Sequence, residues 1–443
     1  MNQPNVSVGI VGDKEIRFEL YGDFTANSLP QKMSGKLIAS LSGNQIKIIQ
    51  EKNVVLSAKE IVFTPNDLET ESFLLRDVVI GINFHWQKKE NQRFRGKLKF
   101  IVEDNLVVAI NVVPLEEYLS SVISSEMSSN SSLELLKAHA IVSRGWILAQ
   151  LAKKKNHSQQ MIETKSEDEI IRWYDREDHL NYDFCADDHC QRYQGVNKIV
   201  NDRATNAVFL TRGLFLTYND RICDTRFSKC CGGMTEAFEN VWEDVPHHYL
   251  SPIIDYKFEL DGIDNDLRQD KYAERWIYDH PNAFCNTNDS KILSQVLVDF
   301  DRDTNDFFRW KVEYTQDEIS EIINTKTGID FGQIEDLIPV LRGASARIIK
   351  LKIVGTKKTL TFGKELEIRK ILSKTHLYSS AFIVRRENII KHIPQKFILL
   401  GAGWGHGVGL CQIGAAVMGE KGYSFDEILK HYFPGASIQK GYE

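Results

Sequence analysis

Apolar and polar residues alternate with a period of two through most of the first 110 positions. Val6-Ser7-Val8-Gly9-Ile10-Val11 and Glu15-Ile16-Arg17-Phe18-Glu19-Leu20 are two such runs, with Gly12-Asp13 as the turn between them. Runs at 37–41, 46–49 and 54–56 continue the pattern, and Gly43-Asn44 is a turn signal. Runs at 94–102 and 106–113 flank Glu103-Asp104-Asn105 and predict a hairpin. A β-rich N-terminal region over 1–109 is expected.

The period changes at Pro114, a residue suited to the first turn of a helix. Leu115, Tyr118, Leu119, Val122, Ile123 and Met127 then recur at helical spacing. Ser128-Ser129-Asn130 breaks the run, and Ser131-x-x-Glu134 offers a capping box for a second helix. Leu133, Leu136, Ala140, Ile147 and Leu151 give that helix its apolar face, and Lys153-Lys154-Lys155 suit its C-terminal dipole. A helical hairpin over 114–127 and 132–155 is expected. Residues 156–180 read as a solvated excursion, and 209–213 and 214–218 as short strands with Asn219-Asp220 as a turn. Residues 260–290 show no clear period, and strands return over 335–385, notably at 346–354. A glycine-rich stretch follows, then a helix from about Leu410 and a short helix over 425–432 closed by Pro434-Gly435. The whole predicts an α+β fold: the β-rich region 1–109, a mixed region over 110–250 with the helical hairpin, an insertion or accessory subdomain over 251–340, and a last segment, 341–443, with a glycine-rich motif.

Composition narrows the function classes. At 443 residues, 42% hydrophobic and 26% charged, the chain is long and apolar enough for a sizeable core, which excludes wholesale disorder. Lys+Arg number 55 against 61 Asp+Glu, a net charge of −6, so no nucleic-acid partner is expected. No run approaches about 18 apolar residues, so no transmembrane segment is expected. Met1-Asn2-Gln3-Pro4-Asn5 lacks the basic start and apolar core of a secretory leader, and none is read in this chain. Seven cysteines, an odd number thinly spread, do not make a small disulfide framework.

Four constellations could carry chemistry. Glu126 sits at the C-terminal end of an apolar helix, where the dipole and partial burial beside Met127 both disfavour its charge, as a general acid requires. Arg144 lies on the return helix. A boundary Glu and a surface Arg are the plain alternative. His179, Cys185, His189 and Cys190 place two imidazoles and two thiols within twelve residues, enough for a tetrahedral zinc site, structural if its shell is full. A Cys185–Cys190 disulfide or four unrelated loop residues compete with it; the ligand density favours metal. Phe227-Ser228-Lys229-Cys230-Cys231-Gly232-Gly233 is a polar turn whose glycines admit close backbone approach, with Cys230 and Cys231 read as buried small thiols. In 401–412, five glycines within nine residues present Trp404 and His406 on a contorted backbone, a pairing suited to a sugar cleft.

Taken in order, these segments resemble the stage II sporulation protein D (SpoIID)/LytB amidase-enhancer family. Val113-Pro114-Leu115-Glu116-Glu117-Tyr118-Leu119 through Glu126-Met127 is similar to its first helix, and Leu135 to Arg144 to its "LKAQAVAAR" helix. Ser228 to Trp242 resembles its Gly-Gly segment followed by "ENVW", and Arg342 to Arg347 its late "SGR" strand entry. Trp404 to Ala415 resembles "WGHGVGMSQWGA", and His431-Tyr432-Phe433-Pro434-Gly435 its closing motif. The likeness spans about 110–250 and 340–440. Cys230-Cys231 stand where small polar residues are usual, Cys411 where Ser or Thr is, and Phe227 where Tyr often is.

The resemblance implies a lytic transglycosylase of the cell envelope that acts on peptidoglycan glycan strands, with 110–250 and 341–443 as two parts of a catalytic region. It places the acid at Glu126 and a substrate-site arginine at Arg144. It implies substrate contacts by Phe227, Ser228, Lys229, Gly232, Gly233, Trp404, His406 and Gln412, and a structural zinc on His179, Cys185, His189 and Cys190. Such a reaction needs one carboxyl group rather than the usual glycosidase pair. Two rival expectations are a non-catalytic glycan-binding partner that stimulates a cell-wall amidase, and a zinc-dependent hydrolase using the Cys/His cluster.

Overall fold

The period-two segments form strands that join mostly over long sequence separations. The structure, a computed structural model, describes residues 2–27, 29–81, 87–128, 130–154, 163–173, 179–187, 190–257, 266–297, 304 and 306–443. It is mixed α and β and largely β. Contacts group it into two units, each assembled from separate stretches, a different division from the four consecutive segments read from sequence. The first is Met1–Asn130, Arg176–Leu214 and Lys440–Glu443; the second is Ser131–Asp175 and Phe215–Gln439.

In the first unit ten strands precede any helix: β1 (Asn5–Asp13), β2 (Glu15–Ala26), β3 (Leu29–Ser42), β4 (Gln45–Gln50), β5 (Asn53–Ala58), β6 (Glu60–Pro65), β7 (Ser72–Ile80), β8 (Lys88–Phe94), β9 (Lys97–Glu103) and β10 (Leu106–Pro114). They form one sheet in the order Phe184–Cys185, β1, β10, β9, β6, β2, β3, β4, β5, with β7 on β2 and β8 on β7. The expected β9–β10 hairpin forms, and Asp104 and Asn105 take φ of 50° and 59°, the two left-handed residues of a tight hairpin turn. The turn at Gly12-Asp13 does not pair its flanking runs. β1 pairs with β10, Val6 opposite Val113, and β2 pairs with β3. The nearly continuous apolar run of β10 buries more of β1 than β2 could, so the distant partner wins. Inward residues of three strands meet at Phe18, Phe63 and Phe100, with ring centroids 5.1 to 6.2 Å apart.

Helix α1 (Leu115–Glu126) follows β10 directly, with Pro114 as its N-cap residue. All of it except Glu117 is buried. Its serines tolerate this because Ser120, Ser124 and Ser125 donate to the carbonyls of Glu116, Ser120 and Ser121 at 2.8–3.0 Å. Tyr118 stacks on Tyr193 at 4.7 Å, and Tyr193 donates to Asn111 Oδ1 at 2.6 Å.

The second unit starts with α2 (Leu133–Lys154), whose boundaries follow the reading. Its expected capping box does not form. Ser131 donates to Gln295 O, the Ser132 hydroxyl accepts the Leu135 N–H at 3.3 Å, and the Glu134 carboxylate turns to Lys137 and the Phe425 N–H. A five-stranded sheet runs Glu163–Lys165, Glu169–Arg172, Thr359–Gly363, Ile348–Gly355, Ile334–Arg342, and a three-stranded one has Ile393–Ala402 between Arg309–Thr315 and Phe382–Ile390. Ile319, Ile323, Phe331, Ile353, Phe362, Phe397 and Leu399 share one core between them. The helix Phe425–Tyr432 forms as read, opened by a Ser424/Glu427 capping box. Two expectations change. Phe209 and Leu210 close a helix, Arg203–Leu210, rather than a strand, and helices Asp270–Tyr278 and Ser290–Val296 occupy the stretch around 260–290 that showed no period. No helix among the described residues is long and apolar enough to cross a membrane.

Candidate functional site

Glu126 closes α1. It is 8% exposed, and its Oε1 accepts the Arg192 N–H at 3.0 Å. The segment holding that amide lies along the same half of the helix: the Gln194 N–H donates to Ser125 Oγ at 3.3 Å, and Ser121 Oγ donates to Gly195 O at 2.9 Å. No basic residue occupies the last turn of α1. Among the described residues of this unit, the other buried carboxylate is Glu116. It starts the same helix, roughly 15 Å away along the axis, and accepts from the Tyr442 hydroxyl. The two are too far apart to act as the carboxyl pair of a glycosidase, which sits about 5–9.5 Å apart.

Immediately before Arg192 comes a cluster of ligand types. His179, Cys185 and Cys190 present ligand atoms within 4.8 Å of one another. His179 Nε2 is 3.8 Å from Cys190 Sγ, and the Cys185 N–H donates to that sulfur at 3.4 Å. Both cysteines are free thiols, so the local disulfide is not formed. Tetrahedral zinc, with bonds of about 2.3 Å to sulfur and 2.0–2.1 Å to nitrogen, puts neighbouring ligands about 3.6 Å apart, so these three residues fit the ion. The fourth expected ligand, His189, lies outside the described residues. Tyr118, stacked beneath this segment, carries a buried hydroxyl. Burial pushes its phenol well above the ordinary value, with Cys190, Tyr193, Cys185 and Glu126 adding to the rise.

Within the second unit the two glycine-rich stretches meet. Phe227–Ser228 pairs in parallel with Leu410–Cys411, and Cys230 and Trp404 exchange both backbone hydrogen bonds, at 3.0 and 2.8 Å. Gly232 (φ 81°) and Gly403 (φ 75°) pack so closely that a Cβ on Gly232 would sit 2.9 Å from Gly403 N. Trp404 stacks on Phe307 at 4.6 Å and meets Tyr378 edge-on at 5.1 Å. Half-buried His406 lies 4.9 Å from the Trp242 ring, and its Nδ1 accepts the Val408 N–H. Burial, then Arg226 and Arg347, hold that imidazole well below its ordinary pKa and hence neutral. Lys229 donates to Val296 O at 3.1 Å, Gly233 packs on Trp276, and Ser228 Oγ is buried without a hydrogen-bond partner among the described residues.

Arg144 and Gln412 belong to this unit as well. Arg144 is fully buried on α2, with Nη1 3.5 Å from Ala140 O. Gln412 meets His139 Nε2 at 3.0 Å, and His139 Nδ1 is 3.3 Å from Ser143 Oγ. Phe227 packs on the same imidazole at 4.5 Å. The structure thus brings together Phe227, Ser228, Gly232, Trp404 and Gln412 in one unit, and Glu126 with His179, Cys185 and Cys190 in the other. Glu126 and Arg144 fall in different units.

Residues 103–218 match the family described as Stage II sporulation protein, and residues 236–409 match a domain of unknown function (DUF8618). Similar proteins include the stage II sporulation protein D of Bacillus amyloliquefaciens, 25% identical over 75% of this chain and 76% of that protein. The amidase enhancer of Bacillus subtilis is 25% identical over 54% of this chain and 33% of that protein. An uncharacterized protein of Brachyspira hyodysenteriae is 24% identical over 92% of this chain and 85% of its own length. Residues 103–218 thus carry a stage II sporulation protein domain, and the chain is similar to proteins of the SpoIID/LytB family.

Three residues escaped the sequence reading as site residues. Arg192 supplies its backbone to Glu126 and carried no side-chain signal. Arg347, 1% exposed, donates to Gly405 O, Cys231 O and Ser345 Oγ at 3.0–3.2 Å and so ties the two glycine stretches together. Glu236 accepts from Ser345 N and Oγ, Ala344 N and Asn240 Nδ2. Both lie inside quoted motifs, 342–347 and 228–242, so the signal was present but pointed to strand entry rather than to a network.

The fully buried His139 generates a pH dependence. Desolvation, with Lys229 adding, lowers its pKa from 6.5 to about 3. Between those values the unfolded chain binds a proton that the folded chain refuses. Its contribution is therefore complete above pH 6.5 and is lost as pH falls toward 3, at about 1.4 kcal/mol per pH unit. His139→Gln keeps a polar partner for Gln412 and should flatten the fall in urea-unfolding free energy between pH 6.5 and 5 by that slope. An unchanged slope would show that His139 is solvated and titrates normally.

Proposed function

We propose that the chain is a lytic transglycosylase of peptidoglycan glycan strands, working outside the cytoplasmic membrane, with Glu126 as the single acid and base. The observation that carries this reading is the Glu126 carboxyl, buried at the end of α1, accepting the Arg192 N–H and without a second buried carboxylate within glycosidase reach among the described residues of its unit. The likeness to stage II sporulation protein D and to an amidase enhancer supports the choice of substrate class. Glu126 protonates the glycosidic oxygen as the bond to C1 of N-acetylmuramic acid breaks. The C6 hydroxyl of that sugar closes on C1, and its proton returns to the Glu126 carboxylate. The product is a 1,6-anhydro end, and no water is consumed.

Arg144 is assigned to orienting substrate. Glycan contact is assigned to Trp404, Phe227, Ser228, Lys229, Gly232, Gly233, His406 and Gln412. Trp404 offers the aromatic face that sugars favour, and the Ser228 hydroxyl, without a hydrogen-bond partner among the described residues, offers a donor. Zinc on His179, Cys185, His189 and Cys190 is assigned a structural role: it would fix the chain two residues before the Arg192 amide and so hold the Glu126 carboxyl in place.

The name of one relative, an amidase enhancer, favours a second reading, in which the chain binds glycan and stimulates a cell-wall amidase. Incubation with denuded glycan strands separates the two. Mass spectrometry should find anhydro ends with the native chain and a loss of roughly 10²–10⁴-fold with Glu126→Gln, the contribution of one catalytic proton-transfer group. No anhydro ends from the native chain, with amidase stimulation left intact in Glu126→Gln, would favour the enhancer; anhydro ends undiminished in Glu126→Gln would contradict the role of Glu126. Cys190→Ser should lower the melting temperature and slow turnover while leaving the anhydro product unchanged. A zinc-dependent hydrolase would instead stop altogether and make no anhydro ends.

A further inference from the structure

Far from the His179 cluster in sequence, three more thiols and a carboxylate converge inside the second unit. The ligand atoms of Cys231, Asp255, Cys285 and Cys411 all lie within 4.8 Å of one another. The four residues are 2%, 0%, 1% and 0% exposed. They come from four separate stretches. Cys231 follows the strand Phe227–Ser228, and Asp255 pairs its N–H with Gly233 O at 3.0 Å. Cys285 lies in the turn beyond helix Asp270–Tyr278, and Cys411 opens helix Gln412–Glu420.

The separations match the edges of a metal tetrahedron. Cys231 Sγ is 3.6 Å from Cys285 Sγ and 3.4 Å from Asp255 Oδ2. Bonds of about 2.3 Å to sulfur and 2.0–2.2 Å to oxygen at tetrahedral angles require about 3.8 Å and 3.6 Å. A disulfide would need about 2.05 Å. Four ligands drawn this tightly suit one ion and leave no room for the sulfides of a cluster.

The surroundings support the ligands. Asp255 Oδ1 accepts from the Tyr432 hydroxyl at 2.6 Å, and its Oδ2 accepts the Cys285 N–H at 3.0 Å. Gly414 makes space for this carboxylate, since a Cβ there would sit 2.7 Å from both oxygens. The Cys231 N–H donates to Cys411 Sγ at 3.2 Å, the amide-to-sulfur bond that steadies a metal thiolate. The half-buried Arg309 guanidinium donates to Gly232 O at 3.1 Å, next to Cys231, and brings a compensating positive charge.

We propose that Cys231, Cys285, Cys411 and Asp255 form a second metal site, taking a divalent thiophilic ion of the zinc class. Thiolates select such an ion over magnesium or calcium. With four protein ligands in a dry interior the site is closed and therefore structural. Binding releases the proton of each thiol and cross-links four chain segments, among them the two that carry Ser228 and Trp404.

The test is metal content per folded chain, measured by plasma mass spectrometry after size exclusion. Cys411→Ser should hold one zinc fewer than the native chain, and Cys223→Ser, a buried thiol outside the cluster, should hold the native number. Equal metal in native and Cys411→Ser chains overturns the site. Should Cys411→Ser fail to fold, the chain carrying Cys185→Ser and Cys190→Ser answers independently. It should still take up one cobalt ion, with thiolate-to-cobalt charge-transfer bands and the visible bands of tetrahedral cobalt. Absence of those bands in the folded chain, or a disulfide between Cys231 and Cys285 found by thiol titration and peptide mapping, overturns it equally.

Discussion

A backbone amide, that of Arg192, meets the Glu126 carboxyl at 3.0 Å where α1 ends, and the proposed chemistry depends on that contact staying in place. The carboxyl is almost wholly withdrawn from water, so its position is set by the chain around it and not by solvent. α1 can carry it there because four serines satisfy their own hydroxyls, three of them on the helix's preceding turn and Ser121 on Gly195 O. The partner segment is tied down twice more, at Ser125 and Gly195, and is entered from the cluster of His179, Cys185 and Cys190. An ion held by that cluster would sit two residues of chain from the amide that meets the carboxyl, so under the proposed function its loss would loosen the placement of Glu126.

The second unit solves a different problem. Its glycine-rich stretches adopt left-handed backbone at Gly232, Gly233, Gly403, Gly405, Gly407 and Gly409, a conformation costly to order and poor in its own hydrogen bonds. Arg347 offsets this by spending its guanidinium on carbonyls of both stretches, and Glu236 caps the amides of Ala344 and Ser345 beside it. Such a buried ionic network is weak evidence for net stability, yet removing one member leaves an uncompensated charge. The Cys231–Asp255–Cys285–Cys411 site would anchor the same stretches through their side chains.

Local features were legible in the sequence and non-local ones were not. The β9–β10 turn, the boundaries of α1 and α2 and the helix at Phe425–Tyr432 all rest on residues within a few positions of each other. The approach of His179, Cys185 and Cys190 was visible for the same reason. The Gly12-Asp13 turn misled because a strand almost a hundred residues away offered β1 a better burial partner. The Ser131/Glu134 box failed because Glu134 found the Phe425 amide, which local spacing cannot reveal. The second thiol site draws on positions 231, 255, 285 and 411, so Cys231 and Cys411 first registered only as departures from the family pattern. They acquire a shared reason once Cys285 and Asp255 are seen beside them.

The central claim is that the sugar's own C6 hydroxyl, and not water, closes on the broken linkage. Cleaving denuded glycan strands in ¹⁸O-labelled water tests it most directly. The account predicts muramic-acid ends two hydrogens and one oxygen lighter than a hydrolysed end and free of the heavy isotope. New reducing ends carrying ¹⁸O would contradict it.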